Sequence, residues 1–97
     1  MEIQFTPESV DDLERLRQFL IEAGAPYAKR MANDIVQSLR NLQLFPRLGL
    51  PVQRAPDPDV IRDLYVSKYC VRYLIATEAI YILRVWHGRE DERNKLP

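Results

Sequence analysis

One histidine, one cysteine and a group of arginines carry most of the chemistry open to this chain. His87 lies where an apolar run ends in a dense polar exit, Trp86-His87-Gly88-Arg89-Glu90-Asp91. Histidine exchanges protons near neutral pH, but acid–base catalysis also needs a nucleophile or a second acid or base within reach. Glu90, Asp91 and Glu92 are the nearest carboxylates in sequence. Cys70 and His87 would form a nucleophilic pair only if they shared one face of a sheet. Arg72 and Arg84 fall in successive apolar runs, where pairing of the strands would set their guanidinium groups side by side, a grouping that suits phosphate or an acidic peptide. With a single Cys and a single His, neither an internal disulfide nor a metal cluster is expected.

The elements that must position these groups are readable along the chain. Residues 60–87 hold three runs rich in Val, Ile, Leu and Tyr, separated by two or three polar or small residues. That spacing predicts a three-stranded antiparallel meander. A two-residue turn at Ser67-Lys68 pairs Tyr65 with Cys70 and Asp63 with Arg72. A three-residue loop at Thr77-Glu78-Ala79 pairs Cys70 with Trp86 and Arg72 with Arg84. One face then carries Leu64, Val66, Tyr69, Val71, Tyr73, Ile75, Tyr81, Leu83 and Val85, with Arg62 and His87 at its ends. It is nearly all apolar and should pack on helices. The other face carries Asp63, Tyr65, Cys70, Arg72, Leu74, Ile82, Arg84 and Trp86, with Asp63, Arg72 and Arg84 in one charged row. A slip of one residue would exchange the faces. In this register Cys70 and His87 lie on opposite faces.

Upstream, Glu2 to Phe5 reads as a short strand. Thr6-Pro7-Glu8 supplies an N-cap, a first-turn proline and a carboxylate, predicting a helix from Pro7 to Ala23. Its apolar residues (Val10, Leu13, Leu16, Phe19, Leu20, Ile21, Ala23) cover an arc of roughly 200°, about twice what one core contact needs. The excess predicts a second surface for a partner. Gly24 and Pro26 close a tight αα-hairpin, with a second helix over residues 26–44. Its apolar stripe (Ala28, Met31, Ala32, Ile35, Val36, Leu39, Leu42) is narrower, about 140°. Residues 46–59 contain Pro46, Gly49, Pro51, Pro56 and Pro58 and are expected to form a long loop.

Ninety-seven residues, 46% hydrophobic, make one globular domain, residues 1–97, of the α+β class. It consists of a short N-terminal strand and an αα-hairpin packed on an antiparallel β-meander. Formal net charge is zero, with seven acidic and four basic side chains in residues 1–34 and seven acidic and ten basic in residues 35–97. This bias is far weaker than a DNA-binding stripe, so sequence-specific DNA binding by this chain alone is not expected. No signal peptide and no run near the ~20 apolar residues of a membrane span are seen. A cytoplasmic protein without membrane contact is the expectation.

The order of pieces resembles the RelE/ParE superfamily of type II toxins, also called plasmid stabilisation proteins. The resemblance rests on Asp11-Asp12-Leu13, Leu42-Gln43-Leu44-Phe45-Pro46-Arg47-Leu48-Gly49, Arg62-Asp63-Leu64, Tyr69-Cys70-Val71-Arg72-Tyr73 and Ile82-Leu83-Arg84-Val85-Trp86-His87-Gly88-Arg89. It implies a toxin neutralised by a cognate antitoxin, whose C-terminal segment often lies as a helix on an apolar groove. Leu13, Leu16, Phe19 and Leu20 are the antitoxin-binding candidates. RelE-like members cut messenger RNA on the ribosome with lysines on the first meander strand and an arginine early in the second. Here the first strand has Arg62 and Asp63, and Cys70 stands where that arginine is expected. The set is closer to the ParE branch, which implies inhibition of DNA gyrase with no cofactor. The alternative is a ribosome-dependent mRNA endoribonuclease using Arg72, Arg84 and His87. Arg62, Arg84, Trp86, His87 and Arg89 are the target-binding candidates.

Overall fold

The computed structural model describes residues 1–88, so Arg89 and the carboxylates after it lie outside the described residues. In chain order the elements are β1 (Glu2–Phe5), α1 (Pro7–Ala23), α2 (Ala25–Leu44), β2 (Leu50–Pro51), β3 (Ile61–Val66), β4 (Tyr69–Ile75) and β5 (Ala79–His87). The strands form one sheet in the order β1-β5-β4-β3-β2. β1 runs parallel to β5, and the other pairings are antiparallel.

Local chemistry sets the ends of the helices. The Thr6 hydroxyl accepts the Ser9 N–H at 3.1 Å, and Pro7 needs no partner for a missing N–H. The same hydroxyl lies 3.0 Å from the carbonyl oxygens of Ile82 and Leu83, so the cap also ties α1 to β5. Gly24 joins the helices at φ 107°, ψ 148°, a conformation that a side chain would strain. It lies outside the left-handed helical region that a Gly stop usually occupies, and α2 begins one residue earlier than expected.

The helical hairpin packs on one face of the sheet. Leu16, Leu20, Met31 and Leu42 meet Val66, Tyr69, Val71, Tyr73, Ile80, Ile82 and Val85. This corrects the expected faces at one place. The β3–β4 register is as predicted, and β4–β5 keeps its predicted register from Tyr69↔His87 to Arg72↔Arg84. A β-bulge then shifts it by one, giving Tyr73↔Ile82. The extra residue turns Ile80 and Ile82 into the core, leaves Tyr81 exposed, and moves Leu83 to the opposite face. There Leu83 joins Leu74 against Val52, Ala55 and Ile61. The Pro/Gly segment is thus not a bare loop, because it contributes β2 and covers part of the second sheet face. No helix among the described residues is long and apolar enough to cross a membrane.

Candidate functional site

The charged row spans the strands where the register sets it, but its members are already engaged. Arg72 is fully buried and makes a two-pronged bond to Asp63, Nε–Oδ1 2.8 Å and Nη2–Oδ2 2.9 Å. Its guanidinium lies 5.0 Å from the centroid of the Trp86 ring, a cation–π contact out of water. Cys70 and Trp86 are also buried. Around Arg72 the second sheet face is therefore neither solvated nor an open anion site, although Tyr65 on the same face is exposed.

Arg84 leaves that row for α1. Its Nε donates to Asp12 Oδ2 at 2.8 Å and its Nη2 to Asp12 Oδ1 at 3.1 Å. Asp12 also accepts the Val85 N–H at 2.9 Å and Arg15 Nη1 at 3.0 Å. As a carboxylate in the first turns of α1, Asp12 suits the positive end of the helix, and its local sequence gives no sign of a partner on the sheet. Arg84 and Val85 lie on a strand more than seventy residues away, and Asp11-Asp12-Leu13 within the family pattern was the one visible signal of Asp12. Burial works to raise the Asp12 pKa, but the bonds from Arg84, Val85 and Arg15 outweigh it and leave the carboxyl below the ordinary aspartate value. Stability from this depressed pKa is present above about pH 4, the unfolded value, and is lost as pH falls through the folded one. The urea midpoint should therefore drop on acidification below about pH 4. In Asp12→Asn that part of the drop should be absent.

Arg62 points elsewhere. It is buried, with Nε 2.9 Å from the Gly49 carbonyl oxygen and Nη1 2.8 Å from that of Asp59. The Tyr73 hydroxyl accepts the Gly49 N–H at 2.8 Å and donates to the Pro46 carbonyl at 2.7 Å. Burial raises the Tyr73 pKa above its ordinary value, which keeps this hydroxyl a donor. These bonds pin residues 46–49 to the sheet and explain the spacing of Phe45-Pro46 and Gly49. A Cβ on Gly49 would stand 2.8 Å from both the Asp63 carbonyl and the Tyr73 hydroxyl. Gly49→Ala should cost about 1–3 kcal/mol, measurable as a lowered urea midpoint.

His87 stands on the helix side of the sheet. Its ring is edge-on to Tyr69 at 5.2 Å and tilted against Phe19 at 6.2 Å. It lies three residues beyond Arg84, roughly 10 Å along the strand. Arg72, Arg84 and His87 therefore do not converge on one reacting centre. Of the target-facing candidates, Trp86 and Arg62 are buried, Arg84 is paired with Asp12, and His87 is half-buried.

The described surface carries an apolar groove between α1 and α2, with a volume of about 330 Å³. Leu13, Leu16 and Leu20 line it from α1, and Ala28, Ala32 and Ile35 from α2, with Arg17, Ile21 and Val36 completing it. Three of the four antitoxin candidates thus lie together. Phe19 does not, being 52% exposed on the flank that meets His87. The α2 half was hidden in the sequence because Ala28 and Ala32 read as part of a core stripe. Their small size at a four-residue spacing is the signal that leaves the groove open.

Residues 3–92 match a family model described as the ParE toxin of type II toxin–antitoxin systems, parDE. Among solved structures, the chain is similar to one titled "Chromosomal ParDE TA system from P. aeruginosa". The TM-score is 0.69 at 21% identity, over 90% of this chain and 95% of that one, a likeness of fold. No curated protein matches the chain.

Proposed function

The chain belongs to the ParE toxin family of type II toxin–antitoxin systems, and from that premise we propose that it is a cytoplasmic toxin that binds and inhibits DNA gyrase without cutting RNA, held inactive by an antitoxin helix in the α1/α2 groove. One observation carries the choice of chemistry. The guanidinium groups that a nuclease site would need are committed to carboxylates, Arg72 to Asp63 and Arg84 to Asp12. A group that must stabilise a developing phosphorane charge has to reach the scissile phosphate. Arg72 has no exposed surface with which to do so.

The groove supports the antitoxin part. An amphipathic helix buries its apolar face in such a groove through residues spaced by three and four. Leu13, Leu16 and Leu20 supply that spacing on the toxin side. The proposal predicts a mild phenotype at His87, the single histidine of the chain and the candidate general acid or base. His87→Ala should retain killing within about tenfold in a titrated induction assay, the scale of one partly buried contact. Loss of about a hundredfold or more, with a normal urea midpoint, would instead indicate proton transfer by His87.

A further inference from the structure

The groove has a charge pattern as well as an apolar floor. Arg17 lines it from α1. On α2, Val36 lines it, and the exposed Lys29 and Arg40 lie seven residues before and four after Val36, on the same side of the helix. Asp34, the sole acid of α2, falls on the opposite side. Glu14, three residues before Arg17, is the acid nearest the α1 rim. Elsewhere five arginines are held by carboxylates, Arg15 and Arg84 on Asp12, Arg47 and Arg62 on Asp59, and Arg72 on Asp63, while Arg30 lies over the Tyr27 ring. Among the described residues, Arg17, Lys29 and Arg40 are held in no ion pair. The cations bordering the groove are thus available to an incoming chain.

We infer that the groove selects an acidic amphipathic helix, one whose apolar stripe is flanked by carboxylates that meet Arg17, Lys29 and Arg40. This rests on the reading that the antitoxin docks there, and it adds the chemistry by which the partner is chosen. The lining runs from Leu13 to Ile21 and from Ala28 to Val36. Each stretch is roughly 12 Å long, about two turns, so the occupant contributes a short stripe of i, i+4, i+7 anchors. Three exposed cations around a low-dielectric groove favour an acidic helix over a basic one and speed its encounter.

Two synthetic helical peptides test this with the full chain. They share one leucine stripe at i, i+4 and i+7 and differ only in Glu or Lys at the flanking positions. Binding is read by fluorescence anisotropy at about 0.05 M and about 0.5 M salt. The Glu-flanked peptide should bind roughly ten- to thirtyfold more tightly at low salt, and the gap should shrink to about threefold or less at high salt. The variant Arg17→Glu, Lys29→Glu, Arg40→Glu should reverse the preference. All three changes are on exposed positions, and an unchanged urea midpoint would certify its fold. Equal binding of the two peptides, or binding of neither, would overturn the charge selection. The underlying reading is tested separately by filling the groove with Ala32→Trp and measuring retention of the antitoxin. Antitoxin lost by that variant while the peptides fail to discriminate refutes the charge selection alone. Antitoxin fully retained by that variant refutes both.

Discussion

Ala32→Trp will leave the chain folded and toxic but no longer restrained by its antitoxin. Ala32 is exposed and lines the groove, so an indole there is built without displacing core side chains. The helix-propensity cost is a fraction of a kcal/mol. The new ring occupies space that the partner's apolar anchors require, and anchors in such grooves carry most of the binding free energy. Loss of one or two of them weakens the complex by about a hundredfold or more. Co-expression with the antitoxin should then arrest growth, and the two chains should no longer co-purify. Normal growth with an intact complex would move the antitoxin to another surface.

Asp63→Ala should be the most destabilising of the single changes considered. It strips the two-pronged partner from a guanidinium with no exposed surface. Breaking a buried ion pair from one side costs about 3–5 kcal/mol, because the remaining charge stays out of water. A domain of this size is stable by about 5–15 kcal/mol, so much of the folded population is at stake. The double variant Asp63→Leu, Arg72→Met removes both charges and should recover most of the loss, since apolar replacement of a whole buried pair is near neutral. Urea unfolding of the two variants and the parent measures this. Killing by the refolded double variant would identify the pair as structural. A well-folded but harmless double variant would restore Arg72 to a catalytic role.

Much of this architecture was legible because its signals are local. Thr6, Pro7, Gly24 and Pro46 mark where helices begin or stop through their own backbone chemistry. The turn at Ser67-Lys68 set the β3–β4 partners correctly. The expected three-residue loop before β5 is instead a two-residue turn at Thr77-Glu78, closed by the Ala76 N–H on the Ala79 carbonyl, so the pairs beside it run one residue off and the expected partners return only from Arg72↔Arg84 to Tyr69↔His87. The bulge beside Arg72↔Arg84 was not legible. Ile82 and Leu83 are both apolar and either can fill the core, so the hydrophobic pattern carries no sign of an extra residue. Asp12 and Tyr73 were opaque for a different reason. Their partners, Arg84 and Val85 for one and Pro46 and Gly49 for the other, come from distant parts of the chain. Register placed Arg72 beside Asp63, but alternation of side chains cannot say whether the second face of a sheet is covered. The groove was half visible, since the wide apolar arc of α1 exceeded what its own core contact needed.

A toxin directed at gyrase stops DNA synthesis and leaves RNA intact. Pulse labelling of DNA and protein synthesis, side by side, after induction without antitoxin tests this most directly. Thymidine incorporation should fall first while methionine incorporation continues. Early arrest of methionine incorporation, with DNA synthesis following later, would contradict it and require a nuclease site in which Arg72 or Arg84 leaves its carboxylate.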